Sequence, residues 1–246
     1  MWVYLRVEEQ PPWIYHNATL WLISLSSDGS TWITISDKNL WATAVYNSWA
    51  TLSEANCGKF YQWGNNYGFP FTWAVTTSST QVNVGTYWPW NYYSSSTFIC
   101  SASLTNYDRA NPQNDNLRWW VTWTVEAMQW PCNTWFHIPS ENELTLLLSD
   151  MVSLGMTVDN WKTYLKMPFA WGLNWQTWAK YDSSSWLSLY SSTSVNDIYM
   201  MCLCFTTNWA AVNIRQSLRA IGCNIRPFKN DAVKPDDTRT VLYQPS

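Results

Sequence analysis

The sequence has little charge and no long apolar run. Only 13% of its 246 residues are Asp, Glu, Lys or Arg, about half the share in an average soluble domain. The formal net charge is −3, which argues against a nucleic acid partner because such a surface needs clustered Lys and Arg. No apolar run reaches the ~18 residues of a membrane-spanning helix. We therefore expect neither a nucleic acid partner nor a membrane span.

Glycine is scarce and tryptophan is abundant. The chain has 8 Gly and 21 Trp, whereas an average usage of about 7% would give roughly 17 Gly. Hydrophobic residues make up 47% of the chain and aromatic residues 17%, so disorder is not expected. A chain of this length can bury enough surface to fold without metals or disulfides. The composition predicts a folded domain of low charge.

The six cysteines form no recognised metal or redox motif. No pair has the C-x2-C spacing of a zinc ribbon or a thioredoxin-type site. Cys202 and Cys204 lie in an apolar run that is typical of a strand, where alternate residues face the same side. We expect buried or partly buried thiols. Residues 1–10 show no signal peptide, because a basic segment followed by an apolar core is missing.

Groups for catalysis are scarce in the sequence. The only histidines are His16 and His137, and Pro139 prevents His137 and Glu141 from forming a metal-binding pair on one helix. The phosphate loop, the G-x-S-x-G nucleophile motif and the H-E-x-x-H zinc motif are all missing. We therefore predict no catalytic residue, no metal site and no cofactor, and we interpret His137 as structural.

The clearest predicted element is a helix that begins after Ser140. Ser140 is a suitable N-cap, Glu143 completes a capping box, and Gly155 suits the left-handed residue that follows a helix. From Leu144 onwards, apolar residues recur at i, i+3, i+4 and i+7, which is the pattern of a helix with one buried face. A second helix is predicted over residues 158–166, before Pro168.

Short strands and turns dominate the rest of the chain. Apolar residues 22–25 and 32–35 flank a Ser-Ser-Asp-Gly-Ser turn, which predicts a β-hairpin. Further strands are predicted at residues 197–205, 209–214 and 223–228. Residues 1–20 form a lead-in broken by Pro11-Pro12, residues 21–230 the domain, and residues 231–246 a flexible tail. The fold class is α+β, with few helices, short antiparallel strands and extensive loops.

Several motifs resemble a known family. The chain carries Asp-Lys-Asn-Leu at 37–40, Gly-Lys-Phe-Tyr-Gln-Trp-Gly-Asn at 58–65, and Phe-His-Ile-Pro-Ser at 136–140 before a Glu-containing helix. These resemble the Fibrobacter-type major paralogous domain, a branch of the C-type-lectin-like fold that also includes the formylglycine-generating enzymes. The ending Gly-Cys-Asn-Ile-Arg-Pro-Phe-Lys at 222–229 resembles the close of variable proteins that are diversified by retroelements.

The resemblance implies a function in recognition. It implies a C-type-lectin-like domain, secreted or displayed on a bacterial cell surface, in which residues of about 172–229 form a variable region that binds a protein or glycan ligand without catalysis. Two alternatives remain open. One is an oxidase of the formylglycine-generating type, although Cys202, Cys204 and Cys223 do not reproduce the cysteine pair of those enzymes. The other is a structural component of the cell surface.

The candidate ligand-binding residues lie in the last third of the chain, where such proteins present exposed side chains on a rigid platform. In the strand at 197–205 we expect Met201, Leu203 and Phe205 to face inward and Tyr199, Met200 or Cys202 to face outward. The segment at 213–219 mixes amides, cations and aliphatic groups as recognition surfaces do. The full set is Asn174, Trp175, Trp186, Tyr199, Met200, Cys202, Asn213, Arg215, Gln216 and Arg219. Outside it, Arg226 is expected to bind buried carbonyls or a carboxylate.

Many tryptophans stand where sequences of the resembling family have glycine. We hypothesise that the source organism reads an opal codon as Gly and that Trp was written in its place. Glycine is used where φ is positive or where backbone approaches closely, so these tryptophans should lie in loops, partly exposed, and some in strained backbone. A tryptophan-rich platform for sugars is accordingly not inferred. The positions are Trp21, Trp41, Trp49, Trp88, Trp90, Trp120, Trp123, Trp130, Trp135, Trp171 and Trp178.

Overall fold

The computed structural model describes residues 13–48, 50–71, 75–82, 94–100, 131–133, 135–170, 172, 186–196, 198–206, 211–230 and 240–243. Over these residues the protein is mixed α and β, with few helices and many short, mostly antiparallel strands. The helices are α1 (Glu54–Cys57), α2 (Glu141–Ser153) and α3 (Val158–Tyr164). Among the described helices, none is long and apolar enough to span a bilayer.

A six-stranded sheet joins both ends of the described chain. In spatial order its strands are β13 (Thr240–Tyr243), β1 (Trp13–Asn17), β2 (Leu22–Ser26), β3 (Ile33–Ser36), β12 (Phe228–Lys229) and β7 (Phe136–His137). Strands β2 and β3 pair antiparallel, with Ile23 opposite Ile35, which confirms the predicted hairpin. The lead-in and the tail were wrongly predicted to lack regular structure, because β1 pairs with both β2 and β13.

A three-stranded antiparallel sheet forms the second large unit. Its strands are β8 (Trp186–Ser194), β9 (Tyr199–Thr206) and β10 (Ala211–Leu218), with β9 in the centre and β10 at an edge. The two last strands correspond to the segments predicted at 197–205 and 209–214. Two smaller sheets pair β4 (Tyr61–Gln62) with β11 (Gly222–Cys223), and β5 (Thr76–Ser78) with β6 (Thr97–Ile99).

Helix α2 has the ends predicted from its sequence. The Ser140 side chain accepts from the Glu143 backbone amide, and the Glu143 carboxylate accepts from the Ser140 amide, which confirms the capping box. Gly155 has a φ of +64°, as expected for the residue that follows a helix end. Leu144, Leu147 and Met151 are fully buried. Helix α2 therefore packs its apolar face against β3 and the three-stranded sheet.

Two apolar clusters lie on opposite faces of the three-stranded sheet. The first cluster contains Leu203 and Phe205 of β9 and joins them to α2, α3 and the hairpin β2–β3. Trp161 of α3 stacks edge-on against Phe205, with ring centroids 4.6 Å apart. The second cluster contains Met200, Cys202 and Cys204 with aromatic residues of the 61–63 segment. Strand β9 is thus covered on both faces.

The closing segment was predicted as one strand over 223–228, and this was wrong. Residues 222–223 pair with β4, whereas Phe228 and Lys229 pair with β3 and β7. Between them the chain crosses from one sheet to the other, held by side chains. Arg226 donates to the carbonyls of Ser36 and Lys166, at 2.9 Å each, which confirms its predicted structural role.

Candidate functional site

The predicted site residues lie mainly on β9 and β10. Cross-strand neighbours face the same side of a sheet and alternate residues face opposite sides. Tyr199 lies opposite Leu218, Met201 opposite Gln216, and Cys202 opposite Arg215. Tyr199 and Gln216 therefore face the helix-covered side of the sheet, and Asn213 and Arg215 face the other side. The candidate set is divided over two faces and does not form one continuous patch.

Met200 and Cys202 were wrongly expected to face outward toward a ligand. Both side chains are 0% exposed. They lie on the face of β9 that packs into the second apolar cluster, while Leu203 and Phe205 on the other face are equally buried. A central strand covered on both faces leaves no outward side. Neither residue can contact a macromolecular ligand.

Arg219 is also buried, which contradicts its place among the ligand-binding residues. It is 1% exposed, and its guanidinium carbon lies 4.3 Å from the centroid of the Trp63 ring. The guanidinium also donates to the Ser194 hydroxyl. A delocalised cation stacked on an indole and hydrogen-bonded to a neighbouring strand is stabilised in place. Arg219 therefore contributes to the fold.

Three polar residues of β10 are exposed, as predicted. Asn213, Arg215 and Gln216 are all exposed, and Tyr199 is half-buried. Trp186 lies in β8, but its side chain is outside the described residues, as are Asn174 and Trp175. The described part of the predicted site is thus the outer edge of β10, with Tyr199 nearby on the helix-covered face.

A polar centre in the second apolar cluster was missed as a candidate site. The sulfurs of Cys202 and Cys204 lie 3.0 Å apart, and the Ser188 hydroxyl lies 3.4 Å from the Cys204 sulfur. The Arg215 side chain also hydrogen-bonds to Cys204. The signal was present in the sequence, because the C-x-C spacing on a strand places both thiols on one face.

The two thiols of this centre differ in acidity. The hydrogen bond donated by Cys202, together with Arg215 and Ser188, lowers the pKa of Cys204 although burial opposes the shift. The same hydrogen bond and burial raise the pKa of Cys202. Of this pair, Cys204 is therefore the thiol that ionises more readily, and the Arg215 guanidinium favours its charged form.

The thiols and the histidine otherwise follow the sequence-based expectation. All six cysteines lie in described residues, all are buried, and no disulfide joins them. His137 contacts the Glu143 carboxylate at 2.7 Å and the Asn230 side chain at 3.0 Å, and it thereby joins β7 to helix α2 and to the closing segment. Across the described ranges, no group of three or more His, Cys, Asp or Glu residues is arranged to hold a metal ion.

Where the tryptophans assigned to this group are described, their backbone and exposure are as the hypothesis expects. Trp21 has a φ of +56° and is 57% exposed, and Trp41 has a φ of +64° and is 64% exposed. Trp135 lies in a turn and is 67% exposed. Trp63 and Trp161, which were not assigned to this group, are 3% and 1% exposed. The other eight positions of the group lie outside the described residues.

Two surface cavities lie away from the candidate residues. One of about 150 Å³ lies between Trp21 and Trp41, with Lys38, Asn133 and Pro227 in its lining. The other, of about 260 Å³, includes Tyr46, Lys162 and Phe169. The walls of the first cavity are indoles in left-handed backbone, so glycine at both positions would remove its sides. We therefore do not assign a ligand to it.

The comparisons with known proteins give no assignment. No family model, curated protein or solved structure matches the chain.

Proposed function

We propose that this protein is a non-catalytic ligand-binding domain of the C-type-lectin-like fold, displayed outside the cell, and that the edge strand β10 contacts the ligand. The observation that carries the proposal is that three polar side chains of β10 are exposed beside a central strand that is buried on both faces.

The buried neighbour strand gives β10 a fixed position. Residues 202–205 of β9 are at most 3% exposed, and all eight residues of β10 pair with β9 in continuous register. Val212 and Ile214 pack on the first apolar cluster from the same strand. The backbone of such a strand needs little ordering when a ligand binds, which favours affinity. Changes in the exposed side chains also leave the buried contacts unaltered.

The chemistry of β10 suits a polar, anionic ligand. Asn213 and Gln216 offer amide donors and acceptors, and Arg215 offers a planar cation that binds carboxylates in a two-pronged geometry. In the part of the chain that the structure describes, β10 pairs only with β9. Its second edge presents backbone amides and carbonyls to which an extended peptide can add as a further strand. A protein ligand with an exposed acidic segment fits these features better than a glycan.

A triple variant of β10 tests this proposal. Peptide ligands are first selected from a displayed library against the wild-type protein. The variant Asn213→Ala, Arg215→Ala, Gln216→Ala is expected to bind the selected peptides at least about tenfold more weakly, because exposed contact residues at the centre of a site contribute about 1–2 kcal/mol each. Dissociation constants are measured by calorimetry.

The matched control removes three exposed polar side chains from helix α2. Asn142→Ala, Ser149→Ala, Ser153→Ala should leave binding unchanged, because these side chains are exposed to solvent and belong to α2, outside the strand that is proposed to contact the ligand. Equal affinity of both triple variants and the wild type would show that β10 is not the site. Self-association of the wild type that the β10 variant abolishes would favour the structural cell-surface alternative.

Diversification by a retroelement is a separate part of the proposal and has its own test. We expect a near-copy of the codons for residues of about 172–229 close to the gene, differing at adenines, beside a reverse transcriptase gene. Genome sequencing of the source organism provides the measurement. Without such a copy, the ligand-binding proposal would stand as that of an ordinary surface domain.

The oxidase alternative has one observation in its favour and one against it. Cys202 and Cys204 face each other at 3.0 Å, as a thiol-based oxidase would require. However, the two side chains are 0% and 3% exposed, and they line neither of the two cavities described above. A peptide substrate therefore has no described route to them, and binding without catalysis remains our proposal.

A further inference from the structure

The second apolar cluster contains an unusual concentration of thiols. Four of the six cysteines belong to it, alongside aromatic side chains such as Tyr61, Trp63 and Tyr190. Most of these thiols are in surroundings that suppress ionisation: burial raises the pKa of Cys132 and of Cys223. Cys204 is the exception. The four are Cys132, Cys202, Cys204 and Cys223.

Cys204 is surrounded by groups that donate to its sulfur. The Cys202 thiol lies 3.0 Å away on the same strand. The Ser188 hydroxyl approaches from the neighbouring strand β8 at 3.4 Å. The Arg215 guanidinium approaches from β10 on the other side. Three donors from three adjacent strands stabilise a negative charge on this sulfur, and such surroundings produce a reactive cysteine.

An exposed side chain contacts Cys204. The thiol itself is 3% exposed, but Arg215, which contacts it, is exposed and Ser188 is half-buried. Reaction at Cys204 therefore requires the Arg215 side chain to move aside. Because that side chain is a cation, a small anion can exchange contacts with it on the way in. The charge thus selects reagents as well as stabilising the thiolate.

We propose that Cys204 is a thiolate nucleophile that exchanges with small anionic disulfides, and that Cys202 is the resolving thiol. In the first step the Cys204 sulfur attacks one sulfur of the disulfide. A mixed disulfide forms, the S–S bond of the reagent breaks, and one thiolate leaves; the Cys202 thiol then gives its proton to water. In the second step the Cys202 thiolate attacks the Cys204 sulfur and expels the second thiolate. The two cysteines are oxidised to a disulfide, and the reagent is reduced to two thiols.

The product is a disulfide that is easily reduced. Residues two apart on a strand have Cα atoms about 6.6 Å apart at ~3.3 Å per residue, which is near the upper limit of about 6.8 Å for a disulfide. Strain of this kind makes the bond labile, as in regulatory and catalytic disulfides. The exchange is therefore reversible by ordinary thiols, and the pair acts as a reversible modification site.

This inference does not depend on the proposed ligand site, although Arg215 belongs to both. Thiol exchange is measured on the protein alone, with no macromolecular ligand present. The variant Gln216→Ala should weaken ligand binding and leave the exchange rate unchanged, because Gln216 lies opposite Met201 on the face of the sheet that does not carry the thiols. Failure of the exchange would leave the binding experiment with the β10 triple variant unaffected.

The test compares thiol reactivity in the folded protein. Dithiobis(nitrobenzoate), a dianionic aromatic disulfide, is mixed with the reduced protein across a pH series, and the released thiolate is followed by absorbance. We expect release of two thiolates per chain, with a midpoint well below the ~8.5 of a free cysteine. With Cys202→Ser, the reaction should release one thiolate per chain and leave a mixed disulfide, which peptide mass mapping should assign to Cys204. Cys204→Ser should abolish the fast reaction, and near-ultraviolet circular dichroism shows that both variants are folded.

Three further comparisons distinguish activation of Cys204 from reaction at whichever thiol is most exposed. Cys100 is the most exposed thiol, at 9%, and burial raises its pKa, so reaction at Cys100 before Cys204 would overturn the proposal. Arg215→Gln should slow the reaction at pH 7 roughly tenfold and move its midpoint upward, and Arg215→Lys should restore part of the rate. The reaction rate of uncharged hydroxyethyl disulfide should change less between the wild type and these Arg215 variants. Reaction of Cys204 only in denaturant, or an unchanged rate in Arg215→Gln, would also contradict the proposal.

Discussion

Replacing Arg226 with leucine is expected to lower the free energy of unfolding by about 3–5 kcal/mol, because it leaves buried groups without their cation. Arg226 is 0% exposed and donates to the carbonyls of Ser36 and Lys166. Burial lowers its pKa, and the nearby Asp37 carboxylate opposes that shift. Asp37 is itself 0% exposed, and His16 contacts it at 2.9 Å. Without Arg226, the two buried carbonyls lose their donor and the buried carboxylate loses a nearby cation.

Chemical denaturation of the two proteins measures this loss. Arg226→Lys retains the charge and should recover part of the stability, since an ammonium cannot reach both carbonyls in the planar geometry of a guanidinium. Lys229→Ala, at a half-buried cation in the same closing segment, should change the stability by no more than about 0.5 kcal/mol. A loss below about 1 kcal/mol in Arg226→Leu would mean that Arg226 is not what holds the closing segment.

Glycine substitutions at tryptophan are expected to have opposite effects at different positions. Trp41→Gly should raise the free energy of unfolding by about 0.5–1 kcal/mol, since left-handed backbone costs a side-chain-bearing residue about 1–2 kcal/mol and glycine much less. Trp21→Gly should raise the free energy of unfolding by less. Lys38 Nζ lies 3.8 Å from the centroid of the Trp21 ring, and the substitution removes that contact, which contributes about 0.5–1 kcal/mol. Trp161→Gly should lower the free energy of unfolding by at least the amount that truncation of a core aromatic residue costs, about 3–5 kcal/mol.

The three variants together test the opal-codon hypothesis. Urea denaturation of each gives the stability, and equal losses at all three positions would indicate that tryptophan is native at Trp21 and Trp41. The direct measurement is the peptide mass of protein isolated from its source organism. Peptides with residues 21, 41 and 135 should be lighter by the difference between an indole side chain and a hydrogen atom, whereas those with Trp63 and Trp161 should keep the tryptophan mass.

Local signals predicted the parts of the fold that depend on neighbouring residues. The limits of α2 followed from Ser140, Glu143 and Gly155, because caps act within a few residues. The β2–β3 hairpin followed from a turn between two apolar runs. Strand β1 was not predicted although its partner β2 follows after a short turn, because Pro11-Pro12 indicated a break in regular structure. Strand β13 was not predicted because it is short and its partner β1 is distant in sequence. Pairing between distant segments leaves little trace in local composition.

The candidate site was predicted only in part, for a reason specific to β9. Alternation of polar and apolar residues along a strand indicates which side chains are buried only when one face of the sheet is solvated. Here both faces are covered, so Met200 and Cys202 are as buried as Leu203. On the edge strand β10, Asn213, Arg215 and Gln216 were correctly expected to be exposed. The contact of Arg215 with Cys204 depends on strand register, which the residues alone do not specify.

The pairing of β1 with β13 determines how the domain responds to tension. Ile14 lies opposite Tyr243 and His16 opposite Thr240, so the two ends of the described chain leave the sheet at the same corner. Pulling on both ends would unzip the antiparallel ladder one hydrogen bond after another, since the load falls on the outermost pair first. An anchor attached at either end would hold the domain by the same corner. The direction in which β10 points would then be the same for both ways of tethering.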